Sequence, residues 1–297
     1  MKKTIFTGSG VALITPFTEN GIDYDALGRL IDYHIEHETD SIIIAGTTGE
    51  AATMTVEEHE DVLKFSCRYA NGRIPIIAGT GNNDTNCAIH LSKFAEAVGA
   101  DGLLMVTPYY NKTSQRGLVQ HYNAIADQVD IPIILYNVPS RTGVTIKPET
   151  LYELGQKENI VAIKEASGDI SAAVKMMQLC GDFIDIYSGN DDSIVPLMSI
   201  GGKGVISVLA NIFPDETHQI CQKCFEGDYA GATKLQLDYL EVIDALFCEV
   251  NPIPVKTAMK LMGMDNGLLR LPLYEMADGT LGQLKTALVN KGIKISD

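Results

Sequence analysis

Short, nearly continuous apolar segments recur eight times along the chain, and each is followed by a stretch of different periodicity. This alternation restricts the possible folds more than any other property. The segments span 11–17, 41–47, 74–80, 102–107, 131–138, 160–166, 184–188 and 205–209. Each is rich in Ile, Val or Leu and lacks a polar face, as expected of strands covered on both sides. Between them, 25–38 places Leu27, Leu30, Ile31 and Ile35 on one helical face. The stretch 56–70 follows a Thr55-Val56-Glu57-Glu58 start that resembles a capping box, and 85–98, 115–130 and 147–157 continue the alternation. Pro148 and Pro214 stand near helix starts, where a missing N–H is no loss. Eight β–α units predict a parallel sheet with right-handed crossovers, and eight is the number that closes a (β/α)8 TIM barrel. The expected organisation is a barrel over 1–226 and a C-terminal helical region over 227–297, with helices at 229–249, 255–262 and 281–290. An open doubly wound sheet is the alternative, but no Gly-rich fingerprint follows the first strand.

Bulk properties narrow the function classes. A chain of 297 residues with 45% hydrophobic and 21% charged residues can bury a sizeable core and is not disordered. The formal charge of −15 argues against a nucleic-acid partner and against an anionic membrane surface. A small anionic substrate would need a local cationic pocket. No apolar run approaches the roughly 20 residues of a membrane span. Met1-Lys2-Lys3-Thr4-Ile5-Phe6 imitates a signal peptide, but Gly8, Ser9 and Gly10 break the apolar stretch, so the start reads as mature and cytoplasmic. Six cysteines are too sparse for a disulfide framework. Cys221 and Cys224, with His218 upstream, lack a second pair to complete a tetrahedral metal site, and half-buried thiols on a helix are the expected outcome. No cofactor-binding or metal-binding set is expected.

In a barrel of this kind the active site lies at the carboxyl ends of the strands, and the unusual residues of this chain fall there. Strand two ends in Gly46-Thr47-Thr48-Gly49-Glu50 and strand four in Thr107-Pro108-Tyr109-Tyr110-Asn111. Strand five ends in Tyr136-Asn137-Val138-Pro139-Ser140-Arg141-Thr142-Gly143, and strand seven in Ser188-Gly189-Asn190-Asp191. Strand six carries Lys164 near the end of Ile160-Val161-Ala162-Ile163-Lys164-Glu165-Ala166. An ammonium among Val and Ile must find an anionic partner or give up its proton. It could pair with Glu165 or snorkel to water. If desolvated, it becomes a nucleophile towards a carbonyl.

Two phosphate-loop readings fail on position. Gly201-Gly202-Lys203-Gly204 precedes strand eight, at the wrong end of the barrel, and Gly79-Thr80-Gly81 lacks the nucleotide spacing.

Chemistry gives the rim residues a coherent set of tasks. A lysine forming an imine needs a group that accepts and donates protons as the carbinolamine loses water, and Tyr136 on the adjacent strand suits that task. Thr47 could link Tyr136 to a second tyrosine. Arg141 supplies a planar fork for a carboxylate, and Thr48 adds hydroxyl and backbone donors. A small 2-oxo acid matches this array.

At these residues the sequence resembles the dihydrodipicolinate synthase (4-hydroxy-tetrahydrodipicolinate synthase) family. The resemblance runs from about Gly10 to the C-terminus and includes the strand-two and strand-five motifs and Lys164-Glu165-Ala166-Ser167-Gly168-Asp169. It implies a Schiff base between pyruvate and Lys164, with Tyr136, Thr47 and Tyr110 as the proton relay. It also implies that Tyr110 reaches a neighbouring subunit's site, in a homodimer or homotetramer. Arg141 would hold the carboxylate of aspartate semialdehyde, Thr48 and the Ile206 backbone would contact pyruvate, and Gly189 completes the substrate-binding set. The covalent pyruvate imine on Lys164 would take the place of any cofactor. The same architecture serves N-acetylneuraminate lyases and 2-keto-3-deoxy-sugar-acid aldolases. Thr47 and Arg141 favour the synthase, because neuraminate lyases typically carry Ser at the first position and no Arg at the second. A barrel that only binds a 2-oxo acid is the non-catalytic alternative. Lysine-inhibited members have His where this chain has Val56 and Glu where it has Cys87, while His59, Asn83 and Tyr109 match. The resemblance therefore implies weak or absent inhibition by lysine.

Overall fold

The computed structural model describes residues 2–295. Met1 of the signal-like start and Ser296 and Asp297 of the C-terminal region lie outside the described residues. Eight parallel strands close a barrel: β1 (Gly8–Ala12), β2 (Ser41–Ile44), β3 (Ile76–Gly79), β4 (Gly102–Val106), β5 (Ile133–Asn137), β6 (Ile160–Glu165), β7 (Asp185–Ser188) and β8 (Gly204–Ser207). β8 returns to β1 with Gly10 level with Ile206, so no edge is left open. Alternate residues face inward, and Phe6, Ile43, Ile77, Leu104, Ile134 and Tyr187 pack the interior. The complementary residues form a second, larger apolar layer against the surrounding helices.

The helices are α1 (Tyr24–Glu36), α2 (Val56–Ala70), α3 (Thr85–Ala97), α4 (Gln115–Ala126), α5 (Pro148–Leu154), α6 (Ile170–Cys180), α7 (Ile194–Ser199) and α8 (Pro214–Phe225). Their starts follow from capping chemistry, each cap being worth about 1 kcal/mol. Asp23, Asp84, Ser114 and Asp169 each accept from a first-turn N–H. The expected capping box on α2 is present: Thr55 Oγ1 accepts from Glu58 N at 3.1 Å, and Glu58 Oε2 accepts from Thr55 N at 3.0 Å. Pro148 and Pro214 occupy the first helical positions.

Two sequence expectations are corrected. The first strand lies at Gly8–Ala12 rather than 11–17, so Gly8, Ser9 and Gly10, expected only to break the signal-like apolar stretch, are part of the strand. Close approach is the reason. A Cβ on Gly10 would stand 2.8 Å from the Phe6 ring, which stacks on Tyr187 inside the barrel at 4.5 Å. Phe17 and Thr18 leave the barrel to pair with Gly21 and Ile22 in a small antiparallel ribbon. The single helix expected over 229–249 is two, α9 (Tyr229–Asp238) and α10 (Leu240–Leu246). They break at Tyr239, whose hydroxyl donates to Glu216 at 3.0 Å and whose ring packs edge-on against Phe213. Tertiary contact overrides an unbroken helical pattern there. α11 (Ile253–Leu261) and α12 (Asp278–Asn290) complete the C-terminal helices. No helix of the described residues is long and apolar enough to cross a membrane. His218 binds Asp40 through Nδ1 at 2.9 Å, and Cys221 and Cys224 are buried in a small apolar cluster.

One core residue makes stability depend on pH. His34 is fully buried, with Nδ1 against Thr39 Oγ1 at 2.9 Å, and burial pulls its pKa down to about 3. Below its ordinary value of 6.5, the unfolded chain takes up a proton that the native imidazole refuses, so stability falls as pH drops from 6.5 towards 3. At 1.36 kcal/mol per pH unit, the native protein should lose about 2 kcal/mol relative to His34→Leu between pH 6.5 and 5. Urea unfolding of both proteins at the two pH values measures this; equal losses would show that His34 is not the group responsible.

Candidate active site

Lys164 is the fifth residue of β6 and faces the barrel interior with Ala162 and Ala166, while Glu165 faces the other way. Glu165 therefore does not pair with Lys164. It accepts instead from Asn137 Nδ2 at 2.7 Å and Ser167 N at 2.6 Å. Lys164 is only 4% exposed, and desolvation is the main cause that brings its pKa down to about 7. The Asp191 carboxylate opposes that shift and the Arg141 guanidinium reinforces it. At neutral pH about half of such amines are unprotonated, against roughly one in several thousand for an ordinary lysine.

The parallel register places Tyr136 of β5 level with Lys164, and the Lys164 Nζ lies 4.5 Å from the centroid of the Tyr136 ring. Burial raises the Tyr136 pKa, while Arg141 and a hydrogen bond with the Thr47 side chain lower it. One guanidinium thus favours both the neutral amine and the ionised phenol. Gly189, just past β7, leaves room for the lysine stem: a Cβ there would stand 3.1 Å from Lys164 Cε and 2.5 Å from Ala166 Cβ. Ile206 is buried on β8 and lies one residue beyond the last β7–β8 register pair, Val205 with Ser188.

The substrate-binding candidates converge at the mouth. Arg141 sits on a single helical turn, Pro139–Thr142, is exposed, and forms no ion pair among the described residues. Its Nη2 donates to the Asn251 carbonyl at 3.2 Å. Thr48 is buried and its Oγ1 accepts from Asn251 Nδ2 at 2.9 Å. A cavity of about 360 Å³ opens beside them, lined by Thr47, His59, Cys87, Tyr109, Tyr136 and Arg141 among others. Lys164 does not line it and lies deeper, under the Tyr136 ring. Val56 borders the same cavity; His59 is engaged with the Gly79 carbonyl at 2.8 Å, and Asn83 donates to the Tyr109 carbonyl at 3.2 Å.

Lys164, Tyr136, Thr47, Thr48, Arg141, Gly189 and Ile206 are thus brought to one end of the barrel. Tyr110 is not brought in: it is 91% exposed, with φ of 67°, and stands outside the cavity of its own chain. Sequence reasoning assigned no task to Asp191 or Asn251. Asp191 is buried, accepts from Val208 N at 3.1 Å and Leu209 N at 2.9 Å, and has a raised pKa because it is desolvated. Its place beside Gly189 after an apolar strand was a usable signal. Asn251 lies in a loop between two helices and offered none.

The arrangement can form an imine with a carbonyl compound and hold its carboxylate. Residues 5–291 match the Dihydrodipicolinate synthetase family. The chain is 58% identical to a 4-hydroxy-tetrahydrodipicolinate synthase of Clostridium perfringens, over 97% of this chain and 99% of that protein. Its fold is similar to that of dihydrodipicolinate synthase from Aquifex aeolicus, with a TM-score of 0.97 and 45% identity over 98% of this chain and 100% of that one. It is similar also to the chloride-inhibited dihydrodipicolinate synthase from Acinetobacter baumannii complexed with pyruvate, with a TM-score of 0.95 and 46% identity over 98% of this chain and 100% of that one.

Proposed function

The chain belongs to the dihydrodipicolinate synthetase family, and from that premise we propose that it condenses pyruvate with L-aspartate 4-semialdehyde to give 4-hydroxy-tetrahydrodipicolinate. The observation that carries the reading is the buried Lys164 amine, desolvated and overlaid by the Tyr136 ring. The neutral amine attacks C2 of pyruvate, and the carbinolamine loses water as Tyr136 returns a proton to the departing hydroxyl. The imine gives up a methyl proton to become an enamine, whose terminal carbon bonds to the aldehyde carbon of the second substrate. The substrate amine then displaces Lys164 from C2, closing the ring and freeing the enzyme. Thr48 and the Ile206 backbone hold pyruvate, with Gly189 providing room. Arg141 holds the carboxylate of the semialdehyde. No metal is needed, because the protonated imine supplies the electron sink.

Thr47 relays protons between Tyr136 and a second tyrosine. Tyr110, projecting from its own chain, is suited to serve a second copy, which supports self-association as a homodimer or homotetramer. Borohydride reduction in the presence of pyruvate, followed by peptide mapping, tests the reading. Pyruvate-dependent labelling confined to Lys164 is expected, together with turnover of aspartate semialdehyde and none of N-acetylneuraminate. Labelling elsewhere, or preferred cleavage of neuraminate, would overturn it.

Lysine should inhibit weakly or not at all. The cavity wall carries Val56 and Cys87, neither of which offers an anionic partner for an effector ammonium. Initial rates measured against lysine check this, and half-inhibition below millimolar lysine would contradict it.

A further inference from the structure

The two side chains assigned to substrate carboxylates share one neighbour. Asn251 stands in the loop between α10 and α11 and is 6% exposed. Its Nδ2 donates to Thr48 Oγ1 at 2.9 Å, and its main-chain carbonyl accepts from Arg141 Nη2 at 3.2 Å. We propose that Asn251 is a positioning residue for pyruvate binding, acting through Thr48. A threonine hydroxyl has one proton and two acceptor sites. With one acceptor site filled by the Asn251 amide, the hydroxyl is fixed in place and its proton remains free to donate to an anion. Without the amide, the hydroxyl can rotate and donate to another nearby oxygen instead. The link to Arg141 runs through the main chain, so changing the Asn251 side chain separates the two effects.

This inference rests on the reading of Thr48 as a pyruvate contact. Asn251→Ala is expected to raise the KM for pyruvate about tenfold, the usual scale for a lost hydrogen bond to a charged group. The kcat should change less than about threefold, and the KM for aspartate semialdehyde should stay near the native value. Thr48→Val should raise the pyruvate KM to a similar degree, and the double variant should be no worse than either single one. Additive effects of the two substitutions, or a rise in both KM values together, would overturn the assignment. Borohydride labelling of Asn251→Ala at saturating pyruvate separates this inference from the reaction itself. Labelling should reach the native extent if only positioning is lost. Failure of labelling in the native protein would instead overturn the proposed reaction. Asn251→Asp, which keeps the shape of the residue, guards against an effect of poor folding. Its negative charge beside Thr48 should weaken pyruvate binding further while the protein stays folded, and an unchanged pyruvate KM in that variant would also overturn the proposal.

Discussion

Replacing Lys164 with Met is expected to lower turnover of pyruvate with aspartate semialdehyde by at least about 10³-fold, abolish borohydride labelling, and stabilise the fold. The first two effects follow from loss of the nucleophile. The third follows from the same burial that activates it. Lowering the pKa from 10.5 to about 7 means that the protonated amine is disfavoured in the native site by roughly 5 kcal/mol, at 1.36 kcal/mol per pH unit. Met fills a similar volume without a charge to desolvate. Asp191 loses a cation that favours its ionised form, but its Oδ2 keeps the Val208 and Leu209 N–H donors, which reduces the gain without reversing it. A net increase of roughly 2–4 kcal/mol at pH 7 is expected.

The pH dependence has a definite sign. Below pH 7 the lysine is protonated in both the native and unfolded states, so the full penalty applies. Between 7 and 10.5 the native amine is neutral while the unfolded one still holds its proton, so native stability rises with pH and the advantage of Met shrinks. Urea unfolding at pH 7 and pH 9 measures both. A destabilised Met variant, or an advantage that grows with pH, would show that the lysine is not held as a desolvated amine.

The barrel was legible because its signal is local and repeated: eight apolar segments, with helix starts such as the Thr55 capping box and Pro148 readable within three or four positions. Lys164, Tyr136 and Arg141 stood out because a charged or polar residue ending an apolar strand needs a reason. What escaped was long-range. Thr48 and Asn251 meet across 203 positions, and nothing near Asn251 marks it as special. The placement of β1 was misjudged because the apolar run from Val11 to Phe17 drew the strand past Gly8 and Gly10, when the Phe6 ring inside the barrel demands a missing side chain at Gly10. Glu165 could be read as the partner of Lys164 only while strand alternation was ignored.

The largest stability loss is expected from breaking a buried ion pair, that between the strand-two loop and α11. Glu50 ends the Gly46-Thr47-Thr48-Gly49-Glu50 turn in the left-handed region, with φ of 55°. Its Oε1 lies 2.6 Å from Lys256 Nζ, with both side chains 0% exposed. Lys256 also donates to the Leu268 carbonyl at 2.8 Å and stands 4.2 Å from the centroid of the Phe17 ring, while Glu50 Oε2 accepts from Arg270 N at 3.2 Å. Desolvation lowers the Lys256 pKa, with Glu50 opposing it. Lys256→Met should cost about 3–5 kcal/mol, because it leaves the Glu50 carboxylate buried without its cation. Adding Glu50→Gln removes that charge and should recover more than half of the loss, giving a strong positive coupling in the double-mutant cycle. If the single variant loses less than about 1 kcal/mol, Glu50 has another way to be neutralised and the C-terminal helices do not brace this loop. The pair matters for activity because Thr47 and Thr48 sit three and two residues before Glu50. Hydrogen exchange at 46–50 should therefore accelerate in Lys256→Met, with a fall in kcat, and both should return towards native values in the double variant.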